Sequence, residues 1–121
     1  MKNSLLSTLT AVGSLLLGQS AFAQSYHSND LTPAGTTSGR LSGASGTSQV
    51  GAAAIAGGYS HAVMLKGNAL TAVDLQPANL YYSMAMCTDD FQQGGWGYSL
   101  SGGGMHALVW SGSAASCVDL N

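Results

Sequence analysis

Two histidine–aspartate pairs are the residues of this chain best suited to chemistry. His61 precedes Asp74 by 13 positions, and His106 precedes Asp119 by the same interval. An imidazole oriented by a carboxylate can act as a general base toward a nucleophile. A catalytic centre, however, is one asymmetric arrangement, with a nucleophile and an oxyanion donor converging on it. A pair repeated at fixed spacing is expected to be scaffolding instead, each imidazole bonding across to a neighbouring strand so that no polar group is orphaned. No serine sits in a Gly-x-Ser-x-Gly elbow. Ser60 is adjacent to His61, and neighbouring side chains on a strand point to opposite faces.

Other reactive groups are sparse. Cys87 and Cys117 lack the close spacing of a zinc site, and the three histidines are dispersed. No metal site or cofactor is expected. Asp89-Asp90 offers two adjacent carboxylates, which read as a solvated turn before they read as a calcium site. Gly102-Gly103-Gly104 has neither a following Lys nor a helix start, so it reads as a tight return rather than a phosphate loop. In an oxidising compartment, Cys87 and Cys117 could form a disulfide. Closing that loop would contribute about 3–4 kcal/mol. Trp96, Tyr98 and Trp110 are candidate stacking platforms for a sugar ring, against the commoner fate of packing between sheets.

The elements that must position these residues follow from an internal repeat. His61-Ala62-Val63-Met64-Leu65-Lys66-Gly67 returns as His106-Ala107-Leu108-Val109-Trp110-Ser111-Gly112, and Val73-Asp74-Leu75 returns as Val118-Asp119-Leu120. Each pair is 45 positions apart. His61, Gly67, Asp74, His106, Gly112 and Asp119 are therefore structural repeat positions. Upstream, Asp30-Leu31-Thr32-Pro33 echoes Asp74-Leu75-Gln76-Pro77 at an offset of 44, which also lays Gln49 on Gln93 and Gly51 on Gly95. The Gly-Ser-Ala-rich stretch 42–58 is thus expected to be a degenerate copy of 85–103, not a flexible linker.

Short apolar runs between Gly, Asn, Ser and Pro punctuation predict strands. The expected strands are 61–66, 70–75, 82–87, 93–100, 106–110 and 115–120. In 82–87, Ser83, Ala85 and Cys87 should face one side, Met84 and Met86 the other. The expected fold is all-β, built of tandem four-stranded antiparallel units like propeller blades and too few to close a ring. The units are expected as a degenerate copy over about 30–60, a unit 61–105 and a partial unit 106–121. A chain that stops inside its own repeat is expected to be a fragment or a short member. An uncovered sheet edge invites self-association.

The His-Ala-apolar-Gly and Val-Asp-Leu landmarks resemble the bacterial extracellular repeats called HAF repeats, over 61–75 and 106–120. That resemblance implies tandem, propeller-like β repeats in a secreted protein and brings no assigned activity. Val63 and Leu108 stand where those repeats carry Phe, and Gln76-Pro77-Ala78 replaces their Gly-rich tail.

Residues 1–23 read as a cleavable signal peptide: Lys2, an uncharged stretch from Leu5 to Leu17, then Ala21-Phe22-Ala23. The run is too short and too interrupted by hydroxyl residues to be an anchor helix. The product is expected to be secreted, whether periplasmic, surface-bound or extracellular, with no later membrane span. Charged residues are only 7 % of the chain, and beyond the signal only Arg40 and Lys66 are cationic. Phosphate binding draws on clustered cations, so nucleic acid is not an expected partner. The functional expectation is a non-catalytic module with a structural, adhesive or binding role. Its rivals are a fragment of a propeller enzyme whose catalytic residues lie elsewhere, and a small carbohydrate-binding module.

Overall fold

In the computed structural model, which describes residues 30–67 and 72–121, the chain forms eight strands in two antiparallel sheets. The first sheet contains β1 (Thr36–Ser45), β2 (Ser48–Ile55), β3 (Ser60–Lys66) and β4 (Val73–Asp74), in that spatial order. The second contains β5 (Leu80–Thr88), β6 (Gln93–Ser99), β7 (Met105–Trp110) and β8 (Val118–Asp119), again in sequence order. The fold is all-β with four-stranded units that do not close on themselves. The signal-peptide segment lies outside the described residues, as do 68–71 at the start of the strand expected over 70–75.

The sequence repeat and the sheets are out of phase. His61–Asp74 supplies the last two strands of the first sheet, and His106–Asp119 the last two of the second. The stretch that the repeat phase assigns to a third unit therefore completes the second sheet. Within residues 36–55, β1 and β2 pair antiparallel, with register shifts between Thr36 and Ser38 and between Leu41 and Gly43. Before β8, Ala114–Ser116 makes a short 3-10 turn, so the strand expected over 115–120 is only two residues long.

Period-two alternation gives each sheet two faces. On the A face of the first sheet stand Gly51, Ala53, Val63 and Leu65, with Gly95, Gly97, Leu108 and Trp110 at the equivalent places of the second. The B face carries Val50, Ala52, Ala62 and Met64 in the first sheet, and Gly94, Trp96, Ala107 and Val109 in the second. The core forms where the B face of the first sheet meets the A face of the second. Val50, Ala62 and Met64 cluster there with Leu75, Leu80, Ala85, Leu108 and Trp110. Small residues on one side receive large ones from the other, so the layers interdigitate.

Both sheets bend at the same place. A register shift separates Leu41 from Gly43 in β1 and Ala85 from Cys87 in β5. The extra residue turns Cys87 onto the B face beside Gly94, away from Ser83 and Ala85, contrary to the simple alternation expected. Opposite each bulge is a glycine. A β-carbon on Gly51 would fall onto the Arg40 carbonyl oxygen, and one on Gly95 onto the Met84 carbonyl oxygen. Strand approach this close requires glycine.

Candidate functional site

The two His–Asp pairs occupy equivalent positions at the outer edges of the two sheets. His61 Nδ1 lies 2.9 Å from Asp74 Oδ2, and His106 Nδ1 lies 2.5 Å from Asp119 Oδ2. In each case the other carboxylate oxygen accepts the backbone N–H two residues on: Gln76 N at 2.8 Å and Asn121 N at 3.0 Å. Each carboxylate thus ties a long strand to the short edge strand and to the turn leaving it. The His106 hydrogen bond, with that from Asn121 N, holds the Asp119 carboxyl below the usual carboxylate range. Among the described residues, neither imidazole hydrogen-bonds to a hydroxyl or a thiol. The pairs are also partly open to solvent. This arrangement clamps each short edge strand to its longer neighbour.

Gly67 and Gly112 both adopt positive φ, 61° and 86°, in the turns after β3 and β7. The Gly112 amide donates to the Gln93 side-chain oxygen at 2.8 Å. Gly102, Gly103 and Gly104 also have positive φ, forming the tight return between β6 and β7.

Asp89 and Asp90 divide two tasks. Asp89 accepts from the amides of Phe91 and Gln92 in its own turn, and these bonds lower its pKa. Asp90 reaches across to the first sheet and accepts from Thr47 N at 3.2 Å and Ser48 N at 2.9 Å. Sequence reasoning missed this inter-sheet hook, because its partners are more than 40 residues away. Asp90 holds it with φ 77°, a left-handed conformation that Asp tolerates better than most residues. Among the described residues, no group of three His, Cys, Asp or Glu side chains is placed to hold a metal ion.

Asp90→Ala should lose both acceptor bonds and add backbone strain, costing about 2 kcal/mol. Asp90→Gly should cost less, since glycine relieves the strain, and Asp90→Asn least, since it keeps an acceptor. Urea unfolding of the three variants measures this order.

Cys87 and Cys117 are free thiols. The β5 bulge places Cys87 on the outward B face, whereas Cys117 packs against the cluster between the sheets. The disulfide allowed by the sequence is absent because the thiols serve different layers. Partial burial raises the Cys117 pKa, with a smaller push from Asp119.

The aromatic candidates also separate. Trp110 is fully buried between the sheets and offers no platform. Trp96 and Tyr98 lie half-buried on the B face of the second sheet, in an array with Tyr82, Tyr81 and Tyr59. Tyr82 stacks on Trp96 with centroids 5.2 Å apart, and Tyr81 stacks on Tyr98 at 5.7 Å. Among the described residues, no helix is long and apolar enough to cross a membrane.

Comparison with protein-family models, with curated proteins and with solved structures finds no match.

Proposed function

We propose that this chain is an exported, non-catalytic β-repeat module with a structural or adhesive role at the cell surface or outside the cell. The observation that carries this reading is the duplicated His–Asp clamp. The same bonds recur in both sheets, which architecture requires and a single reaction centre does not. The signal-like N-terminus and the resemblance to HAF repeats supply the expectation of export.

The test is a comparison of His61→Ala, His106→Ala and the double variant. Each single change should lower stability only slightly, as expected for partly exposed pairs. For His106→Ala the sign with pH is fixed. A carboxyl whose folded pKa is depressed stabilises the fold above its unfolded pKa, and that stability is lost as pH falls through the folded value. The wild-type advantage should therefore shrink on acidification below the ordinary carboxylate range. Release of product from any ester, glycoside or peptide substrate that disappears with either histidine would overturn the reading.

A carbohydrate-binding role is the second reading, favoured by the Trp96–Tyr98 array. Its support would be retardation in polysaccharide gels that Trp96→Ala abolishes.

A further inference from the structure

The junction inside the chain shows what a sheet of this kind demands of its neighbour. The B face of the first sheet is small, with Ala52 and Ala54 beside Val50, and it receives Leu80, Leu108 and Trp110. Two polar hooks accompany the apolar contact. Ser83 Oγ accepts from Ala62 N, and Asp90 accepts from Thr47 and Ser48.

The two outward faces carry the opposite assignment at most of these positions, Gly94 in place of Val50 being the exception. On the B face of the second sheet, Trp96 and Tyr98 replace Ala52 and Ala54, at the repeat offset of 44. The amides that need a neighbour's help in the first sheet are satisfied at home in the second. Asn121 Oδ1 accepts from Ala107 N, and Asp89 accepts from Phe91 N and Gln92 N. On the A face of the first sheet, the same offset puts Gly39 in place of Ser83 and Gly46 in place of Asp90, so both hooks are missing. Val63 and Leu65 there replace the bulkier Leu108 and Trp110. A cavity of about 320 Å³ lies over that face, lined in part by Leu31, Pro33, Leu41, Ala53 and Leu65.

A large face that asks for no polar partner thus matches a small, hollow face that offers none. Each keeps open apolar area at its rim, Leu41 being 46 % and Met105 56 % exposed, while Ala53, Val63 and Leu65 at the centre of the A face are already buried, with Leu31 and Ala72 packed on them. Open apolar area of this kind marks an interaction surface.

We propose that the occupant of each outward face is a second copy of this chain, docked head-to-tail so that the B face of one copy's second sheet covers the A face of the next copy's first sheet. This contact continues the sheet-on-sheet stacking already present within the chain. The contact is heterologous, and it closes a ring rather than growing a filament. Propellers hold about four to eight sheets, so about two to four copies of a two-sheet chain complete one. One position keeps the new junction from copying the inner one. Gly43 sits where a β-carbon would come 2.6 Å from the Met86 carbonyl oxygen, and Cys87 takes its place in the second sheet. The copies therefore stand farther apart at that end than the two sheets of one chain do.

The proposal rests on the reading of the chain as a structural module, and its test separates the two. Light scattering of the purified full chain should give a fixed mass of two, three or four copies. Leu41→Asp, on the exposed A face, and Met105→Asp, on the exposed B face, should each give folded monomers with a retained cooperative melt. Mixing these two variants restores one intact pair of faces and should give dimers and nothing larger. A folded wild-type monomer at every concentration would overturn the assembly while leaving the structural reading intact. So would variants that remain oligomeric, a mixture that stays monomeric, or open-ended growth. A monomer whose Trp96 emission responds to an oligosaccharide would also overturn it, giving that face to a sugar.

Discussion

Valine in place of either Gly51 or Gly95 lowers stability by about 3 kcal/mol or more, enough to unfold much of a domain this small. At both positions the added β-carbon meets the carbonyl oxygen of the bulged strand, Arg40 or Met84, and a backbone group cannot step aside as a flexible side chain could. The strand must move, and the bulge with it. The bulge aims Gly43 at the neighbouring sheet, so the damage spreads from one sheet to the junction. Gly39→Ala is the control. The nearest atom to its new methyl would be 3.7 Å away, an ordinary contact, and the variant should stay within about 0.5 kcal/mol of wild type. Urea denaturation of Gly51→Val, Gly95→Val and Gly39→Ala measures all three. Equal effects at the two bulge glycines would also show that the two sheets are equivalent in energy as well as in outline.

Trp110→Ala should cost about 3–5 kcal/mol. Trp110 is fully buried and is the largest side chain in the cluster shared by the sheets. Its loss leaves a cavity lined by residues of both sheets. Trp110→Phe should cost distinctly less. It keeps most of the ring volume and removes an indole N–H that has no hydrogen-bond partner among the described residues. Trp96→Ala should cost less than Trp110→Ala in the isolated chain, because the Trp96 ring is half-exposed. Thermal melts of the three variants give the ranking.

The parts of the fold legible in the sequence were those written locally. Val63, Leu65, Leu108 and Trp110 alternate with residues of the opposite face, and Gly67 and Gly112 mark the same turn twice, so strands and repeat could be read directly. The His–Asp spacing was legible for the same reason: a 13-residue interval recurs only if two strands recur. The phase of the sheets was not legible. A tandem repeat can be cut anywhere, and His-Ala begins the sequence pattern in the middle of each sheet. The bulges were hidden because Gly51 and Gly95 are two among 17 glycines, and no local signal marks which carbonyl approaches them. Asp90 read as half of a solvated turn, since its partners at Thr47 and Ser48 belong to the other sheet. Trp110 and Trp96 read alike as aromatic residues in strands. Only the stacking order of the sheets decides which one is buried.

The central claim is that the B face of the first sheet packs on the A face of the second through Val50, Met64, Leu108 and Trp110. Nuclear Overhauser contacts in the selectively methyl-labelled chain test it most directly. The account predicts cross-peaks from the Val50 and Met64 methyl groups to the Trp110 indole and the Leu108 methyls, with none from these methyls to the Trp96 ring. Contacts confined within each half of the chain, or running from Val50 and Met64 to Trp96, would contradict it.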